Sequence, residues 1–301
     1  MKKQAITITL HVLLSAIALV SAGCNKKAES SAETKPSPSR IIKLDGQSNF
    51  RDLGGYQTSD GKTVKWRQVF RSGELPKLSD GDVAKLEELE IRTVINFLTK
   101  AEITQRGEDR LPDGTNTVAL TMEAGDLGEL AAVVLEARTT GDFSAVPPEL
   151  NPDLHRRLME EAKQQYAALL REAIAPTNRP LVFHCSHGIH RTGTGAAILL
   201  SALGVPWETV RKDYLISNQA RAEENTKRLG QLKALHAKNL SIPIEDVDST
   251  NMEAFYLLEG AYIDAALEAA VEKYGSMEAY IRDGLGITDA ELNELRQQLL
   301  E

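Results

Sequence analysis

The ten residues His184-Cys185-Ser186-His187-Gly188-Ile189-His190-Arg191-Thr192-Gly193 constrain this 301-residue chain more than any other stretch. They set a cysteine and an arginine on either side of five residues, directly after the apolar run Leu181-Val182-Phe183. Thr194-Gly195-Ala196-Ala197-Ile198-Leu199-Leu200 follows and reads as a buried helix. A short apolar strand, a tight loop and a helix form a cradle for a tetrahedral anion, because loop amides converge on the positive end of the helix. A cysteine at the head of that loop sits in the same field. Its pKa should fall, leaving a nucleophilic thiolate. Arg191 in the first helical turn can grip two phosphate oxygens with its planar fork. The outline is that of a site for phosphate esters.

A zinc site is the competing reading, since His184, Cys185, His187 and His190 lie within seven residues. Strand pleating sends His184 and Cys185 to opposite faces. No second ligand cluster occurs in the chain: His11 is in the leader, and His155 and His236 stand alone. The expectation is no metal and no organic cofactor.

Residues 1–24 read as a signal peptide. Lys2-Lys3 precede an apolar stretch from Ala5 to Val20 and the small residues Ser21-Ala22-Gly23. The core is too short and polar for a transmembrane span. Ala22-Gly23-Cys24 resembles a lipoprotein box with Ser21 where that motif usually has Leu, and Val20-Ser21-Ala22 would equally serve an ordinary signal peptidase. The preferred reading is an exported envelope or periplasmic protein with Cys24 lipidated. The alternatives for Cys24 are an unremarkable leader residue or a disulfide partner of Cys185. Two cysteines exclude a disulfide framework. Residues 25–40, rich in Ser, Lys, Glu and Pro without a large apolar side chain, read as a disordered tether. Residues 41–301 remain for one catalytic domain.

The net charge is −8, and −10 without Met1–Gly23, whose only charges are Lys2 and Lys3. So acidic a body argues against nucleic acid and broad adhesion to anionic lipid, leaving membrane contact to the N-terminal anchor.

Along residues 41–301, Ile41–Leu44 reads as an edge strand, Asn49–Tyr56 as a loop with a Gly-Gly turn, and Val64–Phe70 as a strand. Ser79 caps a helix carrying Val83, Leu86 and Leu89. Residues 92–98 and 117–120 are strands, and Leu154 to Ala173 is one long helix ended by Pro176. After the loop, helices are expected over 205–216, 218–237, 251–274 and 288–300. The class is α/β: a mostly parallel sheet flanked by helices, with a helical C-terminal part.

Cys-(five residues)-Arg-Thr resembles the protein-tyrosine phosphatase superfamily. The stretch Asn49-Phe50-Arg51-Asp52-Leu53-Gly54-Gly55-Tyr56 narrows the likeness to bacterial tyrosine/serine phosphatases, as do Phe70–Gly73, Ile91–Ile95, Asp213–Asn218 and the tail from Tyr274 to Gly286. The resemblance implies the fold of that superfamily, with the helices after Cys185 forming a lid. It implies that Cys185 attacks phosphorus, that Arg191 and the amides of Ser186, His187, Gly188, Ile189 and His190 hold the phosphate, and that Thr192 assists the sulfur. The general acid is Asp126 or His190. Asp126 follows Val118–Met122, where relatives place an acid loop, and equally suits a helix N-cap. His190 holds a slot where relatives carry Asp. If protonated, His187 and His190 would raise phosphate affinity at acidic pH. Arg51 and Asp52 either brace the loop or pair with each other to shape the Gly54-Gly55 turn. Relatives often have Lys and Asp at 189 and 190, Asp at 96 and Arg at 98.

The implied activity is hydrolysis of phosphotyrosine, with phosphoserine and phosphothreonine open, on a protein or small phosphoester. Similarity of Cys185-x-His187-Gly188-x-x-Arg191-Thr192-Gly193 to the RNA triphosphatases of capping enzymes keeps phosphoanhydrides open. Inositol phosphates and a catalytically silent phosphate-binding protein are the remaining alternatives.

Overall fold

The computed structural model describes residues 39–301. The leader, its Cys24 and all but the last two residues of the tether lie outside the described residues. Five strands form one sheet in the order β1-β2-β5-β3-β4: β1 (Arg51–Asp52), β2 (Val69–Ser72), β3 (Thr93–Asn96), β4 (Asn116–Ala119) and β5 (Leu181–His184). Only β1 runs antiparallel; β2, β5, β3 and β4 are mutually parallel. Ser72, His184 and Asn96 share one register at the carboxyl ends of β2, β5 and β3. A loop leaving β5 therefore opens at the edge where ligands of parallel sheets bind.

Pleating divides the core. Leu181 and Phe183 point to one face and Val182 to the other. Helix α1 (Asp80–Glu88) covers the smaller face with Leu86, over Phe70, Val94 and Val182. Its capping box joins Ser79 and Asp82. The larger face is covered by α4 (Leu150–Glu161), α5 (Lys163–Ile174), α6 (His190–Ala202), α10 (Gly260–Tyr274) and α12 (Asp289–Leu299). Helices α2 (Lys100–Arg106), α3 (Leu127–Thr140), α7 (Trp207–Ala220), α8 (Ala222–Leu240), α9 (Thr250–Tyr256) and the single turn α11 (Met277–Ala279) complete the described elements, apart from short 3₁₀ and π turns. Helices α3, α8 and α9 share a third apolar cluster around Phe143, Leu232 and Phe255.

The expected α/β class and strand positions 92–98 and 117–120 agree with the structure. Five local expectations are corrected. Ile41–Leu44 makes only an isolated bridge from Ile41 to Arg51, and the strand expected at Val64 begins at Val69. The Asn49–Tyr56 loop contains strand β1. The stripe Leu158, Ala162, Tyr166, Leu169 and Ala173 is buried as its period requires, yet the helix divides at Ala162, so that α4 packs on α10 and α5 on α12. The helix expected over 251–274 likewise divides into α9 and α10. There Asn218 accepts from Leu258 N and donates to Leu258 O, both at 2.8 Å, which fixes an extended link before Gly260.

That amide clamp makes a local test. Asn218→Ala strips two buried backbone groups of partners and should destabilise the fold by about 1–3 kcal/mol in urea unfolding. An unchanged midpoint would contradict the clamp.

Candidate active site

Cys185 ends the central strand, 3% exposed, at the start of the loop that leads into α6. Three consecutive loop carbonyls are held away from it. Ser186 O accepts from Glu74 N at 3.1 Å. His187 O accepts from Asn49 Nδ2 at 2.9 Å and Arg221 Nη1 at 3.4 Å. Gly188 O accepts from Arg71 Nη2 at 2.9 Å and Asn49 Nδ2 at 3.2 Å. In a trans peptide the next N–H points opposite to the carbonyl, so the amides of 187, 188 and 189 turn inward. Gly188 has φ +69°, and a Cβ there would lie 2.5 Å from Ser72 O, so this turn requires glycine.

The braces are themselves locked. Arg51 donates to Asp213 Oδ1 at 3.3 Å and to Asp213 O at 2.9 Å, and also bonds Asn49 Oδ1. Arg71 Nη1 reaches Asp213 Oδ2 at 2.5 Å, and Tyr56 donates to Oδ1 at 2.9 Å. Burial opposes the charge on Asp213, but the two guanidinium groups hold its carboxyl well below the usual range. Asp52 does not pair with Arg51; it accepts from Gly54 N at 2.7 Å and Arg67 N at 2.8 Å. Of the two expected roles, Arg51 braces the loop through Asn49 and Asp52 shapes the glycine turn.

Arg191 extends from the first turn of α6 and donates to both oxygens of Glu102, at 2.7 and 2.6 Å, and to Phe97 O at 3.2 Å. Glu102 also closes a capping box with Thr99, so one carboxylate starts α2 and sets the guanidinium. Burial raises the Glu102 pKa, yet Arg191 and the Thr99 amide bring it down to about 2. Glu102 was missed in the sequence, although the pattern Thr99-x-x-Glu102 is legible as a cap.

Burial pushes the Cys185 thiol up, but Arg191, the Thr192 hydroxyl and the amides of Thr192 and Gly188 outweigh it and leave the pKa below the ordinary thiol value. The Thr192 hydroxyl is buried and has no protein partner at ordinary hydrogen-bond geometry besides this interaction with the sulfur. His184 Nε2 lies 2.8 Å from Asp109 Oδ2 and its Nδ1 lies 3.3 Å from Cys185 O. Both neighbours are acceptors and favour a hydrogen on each ring nitrogen. Burial disfavours that imidazolium, but Asp109 raises its pKa on balance. A histidine whose pKa is raised by Asp109 thus directly precedes Cys185.

Three further histidines, His155, His187 and His190, are held toward the neutral form. Burial, then Arg191, pushes His190 down to about 3. Asn151 donates its amide to Pro148 O and Ala254 O, both at 3.2 Å, so its Oδ1 faces His190 Nε2 at 3.0 Å and fixes the hydrogen there. His190 Nδ1 then has no proton to give. His187 and His155 are held well below the ordinary value, by burial first. The acidic-pH gain in phosphate affinity expected from His187 and His190 is therefore not supported by their surroundings. Asp126 lies at the N-cap position of α3 without capping it; its side chain is 63% exposed and paired with Arg157. It does not line the cavity above Cys185.

That cavity is about 50 Å³, room for a few waters. Leu127, Leu130 and Val134 of α3, Leu154 and Leu158 of α4, and Phe255 of α9 wall it with Met122. Most of the covering comes from helices before Cys185 in sequence. The expectation of a lid built from later helices is corrected to that extent, because α8 and α9 support α3 from behind and only Phe255 reaches the cavity.

Residues 42–301 match the model of the tyrosine phosphatase family. The chain belongs to that family. It is 29% identical over 253 residues to a Cupriavidus necator protein named as a tyrosine-protein phosphatase, covering 83% of this chain and 86% of that one. It is 26% identical over 278 residues to the triple specificity protein phosphatase of Mycobacterium tuberculosis, covering 86% and 99%. A tyrosine-protein phosphatase of Nostoc commune is 22% identical over 229 residues, covering 76% and 73%.

One departure from the family pattern has a physical account. Asn96 Nδ2 donates to Asp109 Oδ2 at 2.9 Å while its Oδ1 accepts from Leu98 N at 2.8 Å. An aspartate at 96 would set two carboxylates against each other; in this phosphatase-family member the carboxylate beside His184 comes from Asp109.

Three buried neutral histidines make the fold acid-sensitive. His155, His187 and His190 have folded pKa values below the unfolded ~6.5, so below that pH the unfolded chain binds protons that the native one refuses. Each contributes a loss approaching ~1.4 kcal/mol per pH unit. His184, with a raised pKa, has its contribution fully present below ~6.5 and loses it only as pH rises. Unfolding free energy should fall steeply from pH 6.5 to 5.0; equal values would contradict neutral burial.

Proposed function

We propose that this enzyme is an exported, cysteine-dependent phosphatase that hydrolyses phosphotyrosine esters, with phosphoserine and phosphothreonine as further substrates, through a phosphocysteine intermediate. The observation that carries the reading is a thiol of lowered pKa facing inward-turned amides, with Arg191 already oriented by Glu102. Apolar walls favour an aryl ring, which is admitted when α3 and α4 part.

Cys185 Sγ attacks phosphorus as the bond to the leaving oxygen breaks, and that oxygen takes a proton from the acid. Water, deprotonated by the same group, then attacks phosphorus and displaces the sulfur as inorganic phosphate forms. Arg191 and the amides of residues 186–191 hold the equatorial oxygens more strongly as charge shifts onto them. Thr192 stabilises the sulfur as it leaves. His190 stays in the phosphate-binding loop as a neutral imidazole bonded to Asn151, and Asp126 takes the acid role when movement of α3 frees it from Arg157. The exposed, paired position of Asp126 favours one second reading: phosphoanhydrides, whose leaving groups need no proton. Export rests on the basic-apolar leader, with Cys24 as the lipid site; labelled palmitate should enter the protein and be lost in Cys24→Ala.

Phosphate release from an aryl phosphate should survive EDTA and vanish in Cys185→Ser. Asp126→Asn should cost about 10²-fold on an alkyl ester and little on a good leaving group. Full alkyl-ester turnover in that variant would remove Asp126 from the mechanism; EDTA-sensitive turnover in Cys185→Ser would remove the thiolate.

A further inference from the structure

Beside the catalytic cavity runs a groove of about 500 Å³. The two share Arg106, Leu135 and His187, so the groove is continuous with the mouth above Cys185. Lys77, Arg106, Arg138, Lys227 and Arg228 line it. This is a concentrated positive field on a chain whose net charge is −8.

Two carboxylates also face the groove, and both are engaged. Glu74 pairs with Arg106 at 2.6 Å, and Glu224 pairs with Arg221 at 3.1 Å and bonds Ser48. Among the described residues, Lys77, Arg138, Lys227 and Arg228 have no carboxylate within ion-pair distance. Several guanidinium nitrogens are buried without an acceptor: Arg138 Nε and Nη1, Arg106 Nε and Arg228 Nε. Arg228 Nη2 donates to the backbone carbonyl of Arg138 at 2.8 Å, which ties α8 to α3. The cations that line the groove carry further N–H donors, and a phosphate offers a dense acceptor set that would engage several of them at once. His187, held neutral, adds no charge to this field.

Resting on the phosphatase reading, we propose that this groove is a second phosphate subsite. It takes a further phosphate on the same substrate molecule while the scissile one sits over Cys185. The chain lacks a lysine inside the catalytic loop, where Ile189 stands, and the extra positive charge is supplied from α2, α3 and α8 instead.

The test measures binding to full-length Cys185→Ser, which does not turn substrate over. The probes are a phosphotyrosine peptide, a set of the same peptide with a second phosphorylated residue one to four positions away, and myo-inositol mono- and bisphosphate. At least one doubly phosphorylated probe should bind about 10-fold tighter than its singly phosphorylated partner, with the gain shrinking as salt rises. Arg138→Gln with Lys227→Gln should erase the gain and leave the singly phosphorylated probe unchanged. A gain among the peptides assigns the second phosphate to a protein substrate; a gain with the inositol compounds alone supports the subsite and assigns it to a sugar phosphate. Equal binding of single and double phosphates throughout, or a gain that persists in the double variant, overturns the subsite. Aryl phosphate turnover by unmodified protein is followed in parallel. Its absence counts against the proposed function, while the binding comparison still decides the subsite.

Discussion

The outward pinning of three successive carbonyls, Ser186, His187 and Gly188, is the constraint on which the site depends. A loop of peptides left to itself would present a mixture of donors and acceptors to an anion. Here Glu74 N, Asn49, Arg71 and Arg221 take the acceptors, and the donors are left facing the thiol. Two of those braces converge on one buried carboxylate, Asp213, which holds Arg71 directly and Asn49 by way of Arg51. Removing one member of such a buried ion cluster costs about 3–5 kcal/mol, because the partners remain buried and uncompensated. The cluster is therefore both a structural keystone and the support of the anion cradle.

The helical side of the site is organised by a second carboxylate. Glu102 fixes Arg191 with a two-point grip and starts α2, whose Arg106 reaches both the cavity above Cys185 and the basic groove. Behind Arg191, α6 is buried almost all round, and Gly193 and Gly195 let Tyr214 and Leu169 approach its backbone. The guanidinium is thus held by a rigid helix on one side and by an ion pair on the other. This suits preorganised charge stabilisation, in which donors do not have to reorient as charge moves.

Much of this was legible in the sequence, and the divisions have physical reasons. The loop could be read because its chemistry is local: strand, cysteine, glycine turn, arginine and apolar helix follow one another within twenty residues. The sheet was legible from β-branched runs such as Thr93–Ile95. Brace partners were not, since Asp213 lies more than a hundred residues from Arg51 and Arg71 and spacing says nothing of such pairs. Helix interruptions at Ala162 and Leu258 were hidden because the apolar stripe continues through the first, and a distant amide, Asn218, makes the second. The charge states of His184 and His190 were illegible for the same reason. One faces Asp109 and the other Asn151, and only the fold brings these partners together.

The most direct measurement is the pH dependence of Cys185 alkylation by a small haloacetamide, followed at that residue by mass spectrometry, with Asn49→Ala beside the unmodified protein. A cradle of inward amides predicts a midpoint below the ~8.5 of a free thiol in the unmodified protein, and a higher one when Asn49 no longer holds His187 O and Gly188 O. An ordinary or raised midpoint in the unmodified protein, or one indifferent to Asn49→Ala, would contradict the account.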